Sequence, residues 1–284
     1  MPADYHKLMS LGAVEREQEW SERDTMLYAL GLGLGADPVD RRGLRFVTEK
    51  GLEALPTMAT VLGWDMTFMP RTGLNLMMVV HGEQRLTLHR PLPASGTMVT
   101  RRQIREVFDK GADKGALVLI EQTVEDRANG ERLSTMMSTV FARGDGGFDG
   151  PEGSPPPLPE TPERAPDQVC DLPTLPQAAL IYRLSGDSNP LHCDPDFAAG
   201  AGFPRPILHG LCTYGVAGHA VLRCYCDYQP RRLKSFDVRF KAPEYQGETI
   251  RTEMWHEAEQ VLFRSSVVER EVEVLTMGAA TIAD

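Results

Sequence analysis

The sequence predicts an α+β protein made of two similar halves, each a helix-first module that continues into antiparallel strands. Three observations predict it. A proline- and glycine-rich stretch divides the 284 residues near the middle, around Pro151-Glu152-Gly153-Ser154-Pro155-Pro156-Pro157-Leu158-Pro159. Such a segment holds neither a helix nor a central strand and reads as a stiff, extended linker. Local patterns recur on either side of it: Tyr28-Ala29-Leu30-Gly31-Leu32-Gly33 echoes Tyr182-Arg183-Leu184-Ser185-Gly186-Asp187, and Arg90-Pro91-Leu92-Pro93-Ala94-Ser95-Gly96-Thr97 echoes the run from Lys241 to Thr249. The order of elements also repeats, as duplication of one module would require. The expected division is 1–145, a linker over 146–176, and 177–284.

In the first half, Ser21 and Asp24 form a helix start feeding Met26 to Leu30. Leu52 to Leu62 reads as a second apolar helical segment, limited at its start by Pro56. Strands are expected at 76–81, 85–88, 98–108, 117–126 and 133–142, with Asn129-Gly130 turning the last pair. In the second half, 177–184 reads as a short helix, and Asp194-Pro195 caps another over 196–199. The run from His209 to Tyr225 is the long buried helix, with Gly215 and Gly218 allowing close packing. Strands are expected at 233–241, 249–257, 261–270 and 272–282; Phe236, Val238 and Phe240 alternate with charged residues in the first. A sheet can curl around such a helix and bury it.

The formal net charge of −10 argues against a nucleic-acid partner, and no run is long and apolar enough to span a bilayer. Five cysteines, an odd number, and a charged N-terminal stretch point to a cytoplasmic protein with reduced thiols. Cys224-Tyr225-Cys226 has the wrong spacing for a zinc knuckle, so no metal is expected.

The chemistry concentrates in Gly186-Asp187-Ser188-Asn189-Pro190-Leu191-His192. Pro190 breaks a helix and biases Asn189 to extended angles, so the bent chain can aim Asp187 and His192 into one pocket. A carboxylate that orients an imidazole, or shares a water with it, is acid/base equipment; the same residues also suit an ordinary structural turn. Gly210 opens the long helix, where unpaired amides and the helix dipole favour a developing oxyanion. Glycine there equally suits helix packing.

The run Tyr182-x-Leu184-Ser185-Gly186-Asp187-x-Asn189-Pro190-Leu191-His192 continues through Phe197-Ala198, Gly202-Phe203 and Pro206-Ile207-Leu208-His209-Gly210-Leu211-Cys212-Thr213-Tyr214-Gly215. Together they resemble the hydratase 2 motif of the MaoC-like (R)-specific enoyl-CoA hydratases. The first half is similar to the long, two-module members at Tyr28-Ala29-Leu30-Gly31, Leu55-Pro56-Thr57, His81-Gly82-Glu83-Gln84 and Arg90-Pro91-Leu92-Pro93. The resemblance implies a double hot-dog fold, with each half wrapping a sheet around a long helix. It implies an Asp187–His192 catalytic pair, Asn189 as an orienting residue and the Gly210 N–H as the oxyanion donor. Only the second half keeps this apparatus, which implies one site per chain and a first half free to hold an acyl tail.

The implied reaction is reversible hydration of a trans-2-enoyl-CoA to a (3R)-3-hydroxyacyl-CoA. Its only cofactor-like part is the coenzyme A of the substrate, with Arg239 and Lys241 as candidates for the phosphates. Whether Asp187 or His192 protonates C2 is not fixed by the sequence. The resemblance also implies a homodimer. A dehydratase of another acyl thioester (on acyl carrier protein, a branched diacid or a sterol side chain), a thioesterase and a non-catalytic acyl-CoA sensor are the competing readings, since fold does not fix function.

Overall fold

Ten strands form one continuous antiparallel sheet in a computed structural model that describes residues 2–283. The first half contributes α1 (Tyr5–Ser10), β1 (Val14–Trp20), α2 (Glu22–Gly31), α3 (Arg41–Leu44), α4 (Phe68–Thr72), β2 (Val79–Leu88), β3 (Gly96–Asp109), β4 (Ala116–Asp126) and β5 (Arg132–Ala142). The second contributes β6 (Gln168–Pro173), α5 (Ala178–Tyr182), α6 (Pro195–Gly200), α7 (Gly210–Tyr225), β7 (Leu233–Phe240), β8 (Thr249–Glu257), β9 (Gln260–Val267) and β10 (Val272–Ile282). The strand order is β1-β3-β4-β5-β2-β7-β10-β9-β8-β6. Read outward from the centre, both halves follow the same connectivity, as duplication predicts. They join where β2 pairs with β7, from Glu83 opposite Arg239 to Thr87 opposite Ser235.

The helix start at Ser21 is a reciprocal capping box: its hydroxyl accepts from the Asp24 N–H, and the Asp24 carboxylate accepts from the Ser21 N–H. Helix α7 is buried from Leu211 through Leu222. Each fully buried Val or Leu there contributes roughly 1.5–3 kcal/mol by transfer from water. Side chains of the first half lie directly against its glycines. A Cβ on Gly215 would stand 2.8 Å from Leu32, and one on Gly218 would stand 2.6 Å from Thr57. Both halves thus share one central helix.

Three sequence expectations need correction. The helical segment expected over 52–62 is only a 3-10 turn, Pro56–Thr60, so the first half has no long central helix of its own. Pro56 removes a donor at its start, and the turn packs on α7 instead of forming a second axis. The strands expected at 76–81 and 85–88 are one strand, β2, preceded by a 3-10 turn over Leu76–Met78. The linker expected over 146–176 contains β6, which pairs antiparallel with β8 from Gln168 opposite Met254 to Pro173 opposite Thr249. Edge strand β1 was not foreseen either. Its sequence, Val14-Glu15-Arg16-Glu17-Gln18-Glu19-Trp20, is dominated by charge, as edge strands often are.

Candidate active site

The turn expected to carry the chemistry is built from short helical pieces. A 3-10 turn over Arg183–Ser185 ends at Gly186, whose φ of 124° excludes ordinary side chains. A Cβ at Gly186 would also lie 3.2 Å from the Cβ of Trp64, which comes from the other half. The chain reverses here, and a second 3-10 turn, Pro190–His192, follows. Asn189 caps that turn: its Oδ1 accepts the Leu191 N–H at 3.1 Å. Its own N–H donates to Asp187 Oδ1 at 3.2 Å. Asn189 thus orients Asp187 through its backbone while its side chain holds the bend.

The segment before α7 straps this turn in place. Leu191 O accepts the Ile207 N–H at 3.3 Å, and Ile207 O faces His192 Nδ1 at 2.9 Å. Because a carbonyl only accepts, Nδ1 carries the proton and the Nε2 lone pair is left for the site. The His192 ring stacks on that of His209, with centroids 3.7 Å apart. His209 Nε2 donates to the main-chain oxygen of Asp187 at 3.1 Å. The outcome is convergence: one side-chain ligand atom each of Asp187, His192 and His209 lie within 4.8 Å of one another. A divalent cation could bridge donors at this spacing, although the hydrogen bonds already assign two ring nitrogens to carbonyls.

Electrostatics follow from burial. Desolvation raises the Asp187 carboxyl above its ordinary value, opposed by His192 and the Asn189 N–H. Desolvation lowers His192, opposed by its bond to Ile207 and by Asp187. His209 is pushed down to about 3 by burial and by His192 beside it. Near neutral pH both imidazoles are therefore uncharged, and His192 presents a basic nitrogen.

Gly210 is the first residue of α7 and is exposed. Among the described residues its N–H has no acceptor, and His209, at the cap position, makes no side-chain capping bond. The ring of Phe240 lies 3.3 Å from where a Gly210 Cβ would stand. With no side chain at 210, the amide stays open to an approaching carbonyl oxygen.

Arg239 and Lys241 stand less favourably for a phosphate. Arg239 is bound by Glu83 through Nη2 at 2.6 Å and Nε at 3.0 Å, and Lys241 pairs with Glu273. Each already faces a carboxylate that would repel a phosphate. Sequence reasoning also gave no role to His209, although it sits inside the Pro206-to-Leu211 run. Nor did it single out Glu244, whose main-chain oxygen accepts the Leu208 N–H at 2.7 Å and whose carboxylate accepts from Thr213 Oγ1 at 2.7 Å. Glu244 thus braces the first turn of α7 from behind.

Comparison with known proteins identifies the family and fold. Residues 157–277 match the MaoC like domain, and residues 18–144 match the MFE-2 hydratase 2 N-terminal domain. The chain is 41% identical to the 3-hydroxyacyl-thioester dehydratase Y of Mycobacterium tuberculosis, over 91% of this chain and 90% of that one. It is 38% identical to the peroxisomal enoyl-CoA hydratase 2 of Arabidopsis thaliana, over 92% and 90% respectively. The crystal structure of a MaoC-like dehydratase from Phytophthora capsici superposes with a TM-score of 0.88 at 34% identity, covering 99% of both chains. The fold is the double hot-dog, and the chain belongs to the MaoC-like hydratase 2 family.

Proposed function

We propose that this protein is a hydro-lyase that catalyses reversible addition of water to a trans-2-enoyl-CoA, giving a (3R)-3-hydroxyacyl-CoA. The observation that carries the reading is the meeting of Asp187 and His192 in one turn, next to the unclaimed N–H of Gly210. Relatives matched nearly end to end, and named as enoyl-CoA hydratases and a thioester dehydratase, support it.

The thioester oxygen accepts from Gly210 N–H, which withdraws electrons and makes C3 electrophilic. Negative charge grows on that oxygen as water adds, and a preorganised donor stabilises it by about 3 kcal/mol. His192 Nε2 and the Asp187 carboxylate hold the water between them. The proton leaving water and the proton arriving at C2 both pass through this pair. The stacked His209 ring fixes His192 in place and, being neutral, does not oppose its transient charge. In this reading the reaction uses no metal and no redox cofactor. Dehydration is the same sequence run backwards.

Coenzyme A as the thioester carrier, and a homodimer as the assembly, are parts of the proposal. No helix is long and apolar enough to cross a membrane. The compartment widens from the cytoplasm to include the peroxisome, where several relatives are named.

The test follows enoyl-thioester absorbance with crotonyl-, trans-2-decenoyl- and trans-2-hexadecenoyl-CoA. Loss of absorbance at one or more lengths, with (3R) product, is expected. Inertness toward all three, or release of free thiol instead, would overturn the reading.

A further inference from the structure

The interior of the first half is not uniformly apolar. One buried apolar patch contains Met98, Val124 and Met136, and a second contains Phe68, Ile104 and Ile120. Between them, a strip of polar side chains crosses the same inner face. Arg102 on β3 stands directly opposite Gln122 on β4. One row along, Ser138 on β5 stands opposite Gln84 on β2. The strip is hydrogen-bonded internally: Arg102 Nε donates to Gln122 Oε1 at 2.7 Å, and Ser138 Oγ donates to Gln84 Oε1 at 2.7 Å.

Arg102 is the unusual member. It occupies an inward position between Thr100 and Ile104, both buried, and its Cζ lies 5.5 Å from the Trp64 ring and 5.7 Å from the Phe68 ring. Burial pushes its guanidinium down to about 10. Gln122 is fixed by its amide, which donates to Leu62 O at 2.8 Å, so its oxygen must face Arg102. That anchors one of the five N–H groups. Among the described residues Arg102 forms no ion pair; Asp65 acts on its charge only from beyond ion-pair distance, and its terminal N–H groups donate to no protein acceptor while reaching accessible space. An anchored fork with free terminal donors is the arrangement that binds a carboxylate bidentately.

The strip also leads to the catalytic turn. Trp64, whose ring lies beside the Arg102 guanidinium, also approaches Gly186: a Cβ at Gly186 would stand 3.2 Å from the Trp64 Cβ. From the other end, His81 on β2 sets its ring 4.7 Å from that of Phe240, which in turn faces Gly210; His81 Nε2 is buried without a partner. An acyl chain running from the thioester toward the first half would meet these polar groups where a plain hydrocarbon tail would want none.

We propose that Arg102 determines specificity at this site: supported by Gln122, it receives a carboxylate at the far end of the acyl group, so that enoyl thioesters of dicarboxylic acids are preferred over those of ordinary fatty acids. This rests on the hydratase reading for the reaction but not for the binding. The experiment uses saturated, unreactive acyl-CoAs from six to sixteen carbons (about that range brackets the four strand spacings of roughly 4.8 Å from β7 to β3), each with a methyl or a carboxyl end. Affinities are measured by calorimetry on the full chain. At one or more lengths the carboxyl-ended ligand should bind about tenfold tighter, as a charge-assisted pair implies. Arg102→Met should abolish that ratio, and Arg102→Lys, which keeps the charge but not the fork, should retain only part of it. A ratio at or below one at every length in the wild-type protein, or an unchanged ratio in folded Arg102→Met, would overturn the proposal. Hydration of decenoyl-CoA in parallel separates the two readings. Hydration without the ratio removes only the role of Arg102; the ratio without hydration removes only the reaction.

Discussion

The two halves of this protein share a strand connectivity and differ in what lies on their inner faces. In the second half, α7 fills the sheet and offers its first amide, at Gly210, to the turn that carries Asp187 and His192. In the first half, the corresponding space is spanned by a five-residue 3-10 turn, Pro56–Thr60, and the inner face carries the Arg102–Gln122 strip. The Gly-rich run after α2 has neither a carboxylate at the position matching Asp187 nor the Asn-Pro-Leu-His sequence. Both halves keep the same sheet connectivity, and register between strands is costly to change. The first half instead lacks a long central helix and carries a different interior. Gly215 and Gly218 let Leu32 and Thr57 of the first half rest on the helix of the second.

The largest effect should come from the pair itself. Asp187→Asn and His192→Ala should each lower kcat for enoyl-CoA hydration by about 10²–10⁴, as loss of a positioned acid/base group does. Circular dichroism and melting should stay near wild type. Rates near wild type in either variant would mean that the first half carries chemistry after all, and the asymmetry would be broken.

Next comes the amide. Gly210→Pro removes the N–H while keeping a residue suited to the first helical position. Its expected cost is about 10²–10³ in kcat, mostly without a matching rise in KM. Gly210→Ala keeps the donor and only crowds Phe240 at 3.3 Å, so it should lose far less. Equal losses in the two variants would assign the effect to crowding.

The pH profile sharpens the electrostatic side of the comparison. Burial holds His192 below 6.5, so it stays neutral, and able to accept a proton, down to that lowered value. Activity should fall as pH drops through an acid limb centred below 6.5, and that limb belongs to the Asp187–His192 pair jointly. A limb centred above 6.5 would contradict the buried, uncharged imidazole.

The smallest effect is on stability. Glu244 is 2% exposed, and burial pushes its carboxyl up to about 8, with Glu248 and Glu269 adding to the rise and Thr213 and Arg270 opposing it. The unfolded chain sheds this proton near pH 4.5 while the folded protein keeps it to about pH 8. Stability from this group therefore declines across that window and levels off above it. Glu244→Gln removes the penalty, so its unfolding free energy relative to wild type should be higher at pH 8 than at pH 5, by on the order of 1 kcal/mol or more. An equal difference at both pH values would show that the carboxyl ionises normally in the folded protein.

Much of this was legible in the sequence because strong local chemistry wrote it there. Pro190, Gly186 and the Asp194-Pro195 cap fix the catalytic turn through backbone restrictions that act residue by residue. Strand β7, at the junction of the halves, was readable because the alternation of Phe236, Val238 and Phe240 with charged residues survives where one face is buried. The edge strands were not, since β1 carries charge and β6 lies among prolines; their pairing comes from neighbours rather than from their own pattern. The missing helix of the first half was hidden for a related reason: an apolar run around Pro56 packs on α7, a partner distant in sequence. Long-range geometry likewise hid His209, whose role depends on stacking against His192. It also hid the paired states of Arg239 and Lys241, since Glu83 and Glu273 become their neighbours only through the sheet.

The most direct measurement is a crystal structure of the Asp187→Asn variant with a bound trans-2-enoyl-CoA. The thioester oxygen should lie about 2.7–3.1 Å from the Gly210 nitrogen, with C3 and an ordered water facing His192 Nε2. A thioester seated in the first half, or a Gly210 amide turned toward a protein acceptor, would contradict it.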